Sequence, residues 1–211
     1  TTELCKEHQF NILFYVGNLH FTNNEYSEAE IIYKQAYELG IKKADLLTNL
    51  GAVQNYLGKN QEAIKHYLEC IDVAKKEKDT KSESQCYYNL GNVYADLGIE
   101  DKALYYFKIS ATSAKKMKDT LQYVTSLNNI GIHFLNLPNL DSAMYYFTMG
   151  KILLENSNHL ELKIECIHNI GICYSELGDQ QKALELYKIV EEYNKEHNQE
   201  RGLANVYYDY S

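Results

Sequence analysis

Asparagine recurs at one register of this 211-residue chain, at Asn49, Asn89, Asn129 and Asn169, each two residues before a glycine. An asparagine amide carries a donor and an acceptor together. In a helix it costs a few tenths of a kcal/mol against alanine or glutamate, up to roughly 0.7, so four at one register need a reason. Two steps turn a helix by roughly 200°, so these side chains point away from the face that their glycines bury. No other pattern carries comparable chemistry. The histidines at 8, 20, 66, 133, 159, 168 and 197 show neither H-E-x-x-H nor i, i+4 pairing, which gives no metal site. With no glycine-rich phosphate loop, nucleophile elbow or paired acids, the chain reads as a non-enzyme without a cofactor. Cysteines 5, 70, 86, 166 and 173 are odd in number, lack C-x-x-C spacing and fall at apolar positions, so they read as small buried hydrophobes without a disulfide framework. Such thiols suit a reducing compartment, the cytoplasm, with the periplasm as the alternative for a sensor input domain.

The elements that position the asparagines are set by a period. Leu50-Gly51, Leu90-Gly91, Ile130-Gly131 and Ile170-Gly171 stand forty residues apart, and Val16-Gly17 lies thirty-four before the first. Units of this length mean a solenoid in which each repeat buries its apolar face against its neighbours. In residues 84–120, Leu90, Gly91 and Tyr94 share one helical face, while Ala103, Phe107, Ser110 and Ala114 form the stripe of a second helix. Leu97-Gly98-Ile99-Glu100-Asp101 supplies the turn between them. One proline and eleven glycines fit an all-α chain with short connections, and no apolar run is long enough to cross a membrane. The excess of 29 acids over 21 bases, a net charge of −8, disfavours nucleic acid and favours a neutral-to-basic partner.

The pattern L/I-G-x-x-Y/F, a turn, then A-x-x-x-F/Y resembles the tetratricopeptide repeat over residues 10–211. It recurs as Gly17/Ala29/Tyr33, Gly51/Ala63/Tyr67, Gly131/Ala143/Phe147 and Gly171/Ala183/Tyr187. Departures are local: His20 and Gln54 stand where the family favours Tyr, and Pro138 replaces a turn glycine. The resemblance implies a right-handed α-solenoid of antiparallel helix hairpins, with units at about 10–43, 44–83, 84–123, 124–163 and 164–203 and a partial unit at 204–211. The partial unit gives an unpaired helix from about residue 203 and marks a fragment of a longer protein.

By the same resemblance the asparagine register faces a concave groove, where the amides grip the backbone of an extended peptide. Neighbouring groove positions then carry Thr48, Gln85, Tyr88, Asn92, Thr125, Asn128, Glu165 and His168. The alternative is a structural ladder in which the asparagines bond one first helix to the next. Carboxylate-clamp repeats use groove lysines and arginines, which are missing here, so an acidic C-terminal tail is not the expected ligand. The resemblance implies a protein- or peptide-binding scaffold. Its second reading is a sensory or regulatory segment of a larger signalling protein, such as a histidine kinase, a transcription regulator or a peptide-pheromone receptor.

Overall fold

The computed structural model describes residues 2–199 and 202, and among them the secondary structure is helical throughout. The elements are α1 (Thr2–Thr22), α2 (Tyr26–Glu38), α3 (Ala44–Tyr56), α4 (Asn60–Glu77), α5 (Thr80–Asp96), α6 (Glu100–Met117), α7 (Thr120–Asn136), α8 (Leu140–Leu153), α9 (Leu160–Glu176) and α10 (Gln180–Glu196). Consecutive odd and even helices pack as hairpins. The helices α5, α7 and α9 start four residues ahead of the boundaries at 84, 124 and 164. The partial unit and its helix lie outside the described residues. Two compact units divide at Ser113 and Ala114, within α6.

Helix length explains the two repeat periods. Where the spacing is thirty-four, α2 and α3 have 13 residues each; where it is forty, α4 to α7 have 17 or 18, and in the last such unit α8 has 14 with a longer connection before α9.

Turns inside the hairpins share one backbone motif. Gly58, Gly98 and Gly178 take φ of 72°, 69° and 79°, and the next residue's N–H bonds back to a carbonyl five residues earlier, as in Lys59 N to Gln54 O at 2.8 Å. This is the Schellman ending, which needs a left-handed residue. The first hairpin uses Asn24 there, with φ 61°. Between hairpins, Lys78 and Lys118 take the same conformation, and Asp79 and Asp119 then cap α5 and α7 by accepting from Ser82 N and Gln122 N. The recurrence of Ala74–Thr80 as Ala114–Thr120 is thus a helix ending followed at once by an N-cap.

Pro138 occupies the left-handed position with φ 23°, while Asn139 N still bonds to Phe134 O at 2.9 Å.

Each hairpin closes on one glycine and one aromatic ring. A Cβ placed on Gly17, Gly51, Gly91, Gly131 or Gly171 would lie 2.4–2.6 Å from the ring of Tyr33, Tyr67, Phe107, Phe147 or Tyr187. These rings are almost fully buried, and they set the helix spacing.

Gln54, at a position where the resembled family favours Tyr, is completely buried in a polar cluster. His66 Nδ1 lies 2.7 Å from Gln54 Oε1 and 3.0 Å from the Glu62 carbonyl, two acceptors, so Nδ1 carries the hydrogen. Glu30 faces Gln54 Nε2 at 3.5 Å and is paired with Lys34 and Lys59. Burial pushes the His66 pKa below its ordinary 6.5, against the opposing pull of the Glu62 carbonyl and Glu69, with Lys65 and Lys34 adding to the lowering. The folded state therefore favours the neutral ring. The stability this gives is full above pH about 6.5 and is lost as pH falls through and below that value. Between about pH 7.5 and 5.5 the wild type should lose more melting temperature than His66→Gln; equal slopes would contradict it.

The cysteine reading needs correction. Cys70 of α4 and Cys86 of α5 are fully buried and joined as a disulfide, with Cα atoms 6.7 Å apart. Cys5 is exposed, while Cys166 and Cys173 are buried free thiols. The physical reason is that residues 70 and 86 meet where one hairpin's second helix touches the next hairpin's first helix. The equivalent pair forty and eighty residues on is Ser110 with Ser126 and Gly150 with Cys166, and a Cβ on Gly150 would lie 3.0 Å from Cys166 Sγ. The site accepts only small side chains, and two sulfurs placed there bond.

Candidate functional site

Within each unit the first helices touch one another, α1 with α3 and α3 with α5 in the N-terminal unit, α7 with α9 in the C-terminal unit. The recurring asparagines sit on the face these helices build, and the partners available to each one decide what it does.

Asn49 Nδ2 donates to Asn18 Oδ1 at 2.9 Å, and the Tyr33 hydroxyl donates to the same oxygen at 2.6 Å. Asn18 follows Gly17, so the bond joins two first helices. Burial pushes the Tyr33 phenol up to about 12, which keeps it a donor. Asn89 has the same register on α5, but the residue matching Asn18 on α3 is Ala52, which offers no side-chain acceptor. Asn89 Oδ1 instead accepts from Gln85 Nε2 of its own helix at 3.2 Å.

In the C-terminal unit the residue matching Asn18 is Ile132, and Asn169 Nδ2 donates to Asn128 Oδ1 at 2.9 Å. Asn128 Nδ2 in turn donates to Glu165 Oε1 at 2.7 Å. Asn128 and Asn169 are buried, at 3 % and 8 % exposure. Asn49, Asn89, Asn129, Gln85, Tyr88, Asn92 and His168 are half-buried.

Tyr88 and His168 share the place three residues before the glycine. Their rings lie 5.8 Å from Phe107 and 5.7 Å from Tyr187, so each rests on a buried ring of its hairpin and shows its remaining surface to solvent. A recess beside His168 is lined by Leu121, Thr125, Glu161, Glu165 and Asn194. Among the described residues no lysine or arginine lines it.

Sequence reasoning missed Asn18, the Cys70–Cys86 pair and the Gln54–His66 cluster. Asn18 was findable as the polar residue that follows Gly17 where Ala52, Ile132 and Ile172 follow three of the other register glycines.

Among the described residues no group of three His, Cys, Asp or Glu side chains could hold a metal, and no helix is long and apolar enough to cross a membrane. A second, apolar surface lies on α8, where Met144, Tyr145, Met149, Ile152 and Leu153 line an open depression.

Stacked hairpins closed by a glycine and a ring, with polar first-helix faces, define an α-helical repeat protein. Family models described as tetratricopeptide repeat match residues 43–116 and 165–195. The chain thus carries tetratricopeptide repeats over those residues. Its fold is similar to that of aspartyl phosphate phosphatase F from Bacillus subtilis, with a TM-score of 0.86 at 18% identity over 99% of this chain and 56% of that one. A Rap protein complexed with competence and sporulation factor gives 0.77 at 17% identity, over 94% of this chain and 57% of that one. The Rap conjugation gene regulator of plasmid pLS20, in complex with a Phr peptide, gives 0.73 at 18% identity, over 93% and 56%. This chain therefore spans just over half the length of those structures. A comparison with curated proteins finds no match.

Proposed function

We propose that the chain is a non-catalytic scaffold whose first-helix face holds an extended, neutral-to-basic peptide segment of a partner protein. The observation that carries this is the division of labour among the asparagines. Asn49 and Asn169 use their NH2 groups on neighbouring first helices. Among the described residues Asn89 accepts from Gln85 of its own helix, and its NH2 group donates to none of them. In the N-terminal unit Gln85, Tyr88 and Asn92 add to a polar, half-exposed surface; in the C-terminal unit Asn129 and His168 do the same, beside a recess lined by Glu161 and Glu165. Two of the similar solved structures hold a peptide or a factor, by their descriptions, which supports the same reading.

The second reading, a sensory segment of a larger signalling protein, is favoured by one observation. The Cys70–Cys86 disulfide suits an oxidising compartment such as the periplasm better than the cytoplasm.

Asn169→Ala should lower stability by roughly 1–3 kcal/mol, because the buried Asn128 oxygen loses its donor. Asn89→Ala should leave stability unchanged or raise it, since alanine is the better helix former. For a peptide selected from a random extended library against the wild-type chain, Asn89→Ala should weaken binding by roughly 0.5–1.5 kcal/mol. Unchanged affinity in the folded Asn89→Ala variant would overturn the peptide-gripping role.

A further inference from the structure

Asn194 of α10 breaks the rule of its position. The same place forty, eighty and a hundred and twenty residues earlier holds Leu154, Ala114 and Ala74, each 0 % exposed. Asn194 is almost as deeply buried, at 3 %, yet its amide carries donors and an acceptor that an apolar place does not call for. Its side chain makes no hydrogen bond among the described residues, and it lines the recess beside His168. The rest of that recess is a set of acceptors. Glu161 and Glu165 stand i, i+4 on one face of α9, and both are exposed. Gln199 Nε2 donates to Glu161 Oε1 at 3.0 Å and Asn128 Nδ2 to Glu165 Oε1 at 2.7 Å, so each carboxylate is oriented through one oxygen and its Oε2 has no partner among the described residues. The Thr125 hydroxyl donates its hydrogen to the Leu121 carbonyl at 2.9 Å, so toward a ligand it only accepts. Leu162 and Val190 supply apolar wall.

We propose that this recess is a specificity subsite on the peptide-binding face of the C-terminal unit, and that it takes the guanidinium of one arginine of the bound segment. Glu161 and Glu165 accept N–H groups from the cation, and the Asn194 side-chain oxygen accepts a further one. Among the described residues no three His, Cys, Asp or Glu side chains converge to hold a metal ion, so a bare divalent cation does not suit the site. A lysine ammonium is compact and strongly hydrated. The guanidinium suits better, because it is planar, presents five donors, sheds water more readily and trails a methylene stem that can lie along Leu162 and Val190. The inference rests on the peptide-binding reading and narrows its neutral-to-basic ligand to one side chain at one place.

N-acetylarginine amide and its uncharged counterpart N-acetylcitrulline amide probe the recess without a peptide. In side-chain amide NMR spectra the arginine compound should shift Asn194 and Asn128, and the citrulline compound at the same concentration should not. A peptide selected from a random extended library against the chain should carry arginine at one fixed position, and its replacement by citrulline should weaken binding at least ~10-fold. Glu161→Gln with Glu165→Gln should abolish that difference. Asn194→Ala installs the residue found at Ala74 and Ala114; it should keep or raise the melting midpoint while weakening the arginine peptide roughly 3-fold or more. Equal affinity for the arginine and citrulline peptides would overturn the proposal, and so would a lower midpoint for Asn194→Ala with unchanged affinity. Tighter arginine binding by Arg201→Gln, which removes the chain's one arginine, would also overturn it by making the occupant the chain's own side chain. A library that yields no binder would sink the peptide-binding reading, whereas shifts by both amide compounds or by neither sink the recess assignment.

Discussion

Gly91→Leu is expected to destabilise the protein by roughly 1–3 kcal/mol or more, although leucine is a far better helix former than glycine by up to about 1 kcal/mol. Even the first added atom would lie 2.5 Å from two carbons of the Phe107 ring. That ring is 3 % exposed, so it has nowhere to swing. The smaller Gly91→Ala change should show the same sign, reduced by the gain in helix propensity. If the clash is the cause, Phe107→Leu should partly rescue Gly91→Ala, giving a double variant more stable than the sum of the single losses. Urea denaturation of the wild type and the four variants checks this; strictly additive losses, or no loss for Gly91→Leu, would show that the ring does not set the helix spacing.

Reduction of Cys70–Cys86 should lower stability by about 3 kcal/mol, the constraint that closing a loop of this length places on the unfolded chain. The bonded residues are 16 apart and join α4 of one hairpin to α5 of the next. Thiol counting gives an independent readout. Denatured, oxidised protein should titrate three thiols, Cys5, Cys166 and Cys173, and reduced protein all five cysteines of the sequence. In the native state only Cys5 should react quickly, because burial pushes Cys166 up to about 12 and Cys173 up to about 11. Cys70→Ser with Cys86→Ser should melt like the reduced wild type. Five thiols in the oxidised, denatured protein would contradict the bond.

The architecture was legible because the same physical demand recurs five times. A glycine is required wherever a Tyr or Phe ring presses on the first helix, so Gly17, Gly51, Gly91, Gly131 and Gly171 mark the hairpins directly. Turn glycines mark their ends for the same reason, since only a left-handed residue fits there. The site was less legible. Register places Asn49, Asn89 and Asn169 on first-helix faces, but register alone says nothing of the acceptor on the next helix. That acceptor is Asn18 for Asn49 and Asn128 for Asn169, while Ala52 supplies none to Asn89. The disulfide was missed because its cysteines are distant in sequence and apolar in pattern. Only the alignment of positions 70 and 86 with 150 and 166 reveals that they face each other.

The central claim is that a peptide lies along the first-helix face. Side-chain amide and methyl NMR spectra of the chain, titrated with a peptide selected from a random extended library, locate the contact directly. The account predicts shifts at the Gln85, Asn89 and Asn92 amides, with Met144, Met149 and Ile152 of the apolar α8 surface unmoved. Shifts confined to that α8 surface, with the first-helix amides unmoved, would contradict it.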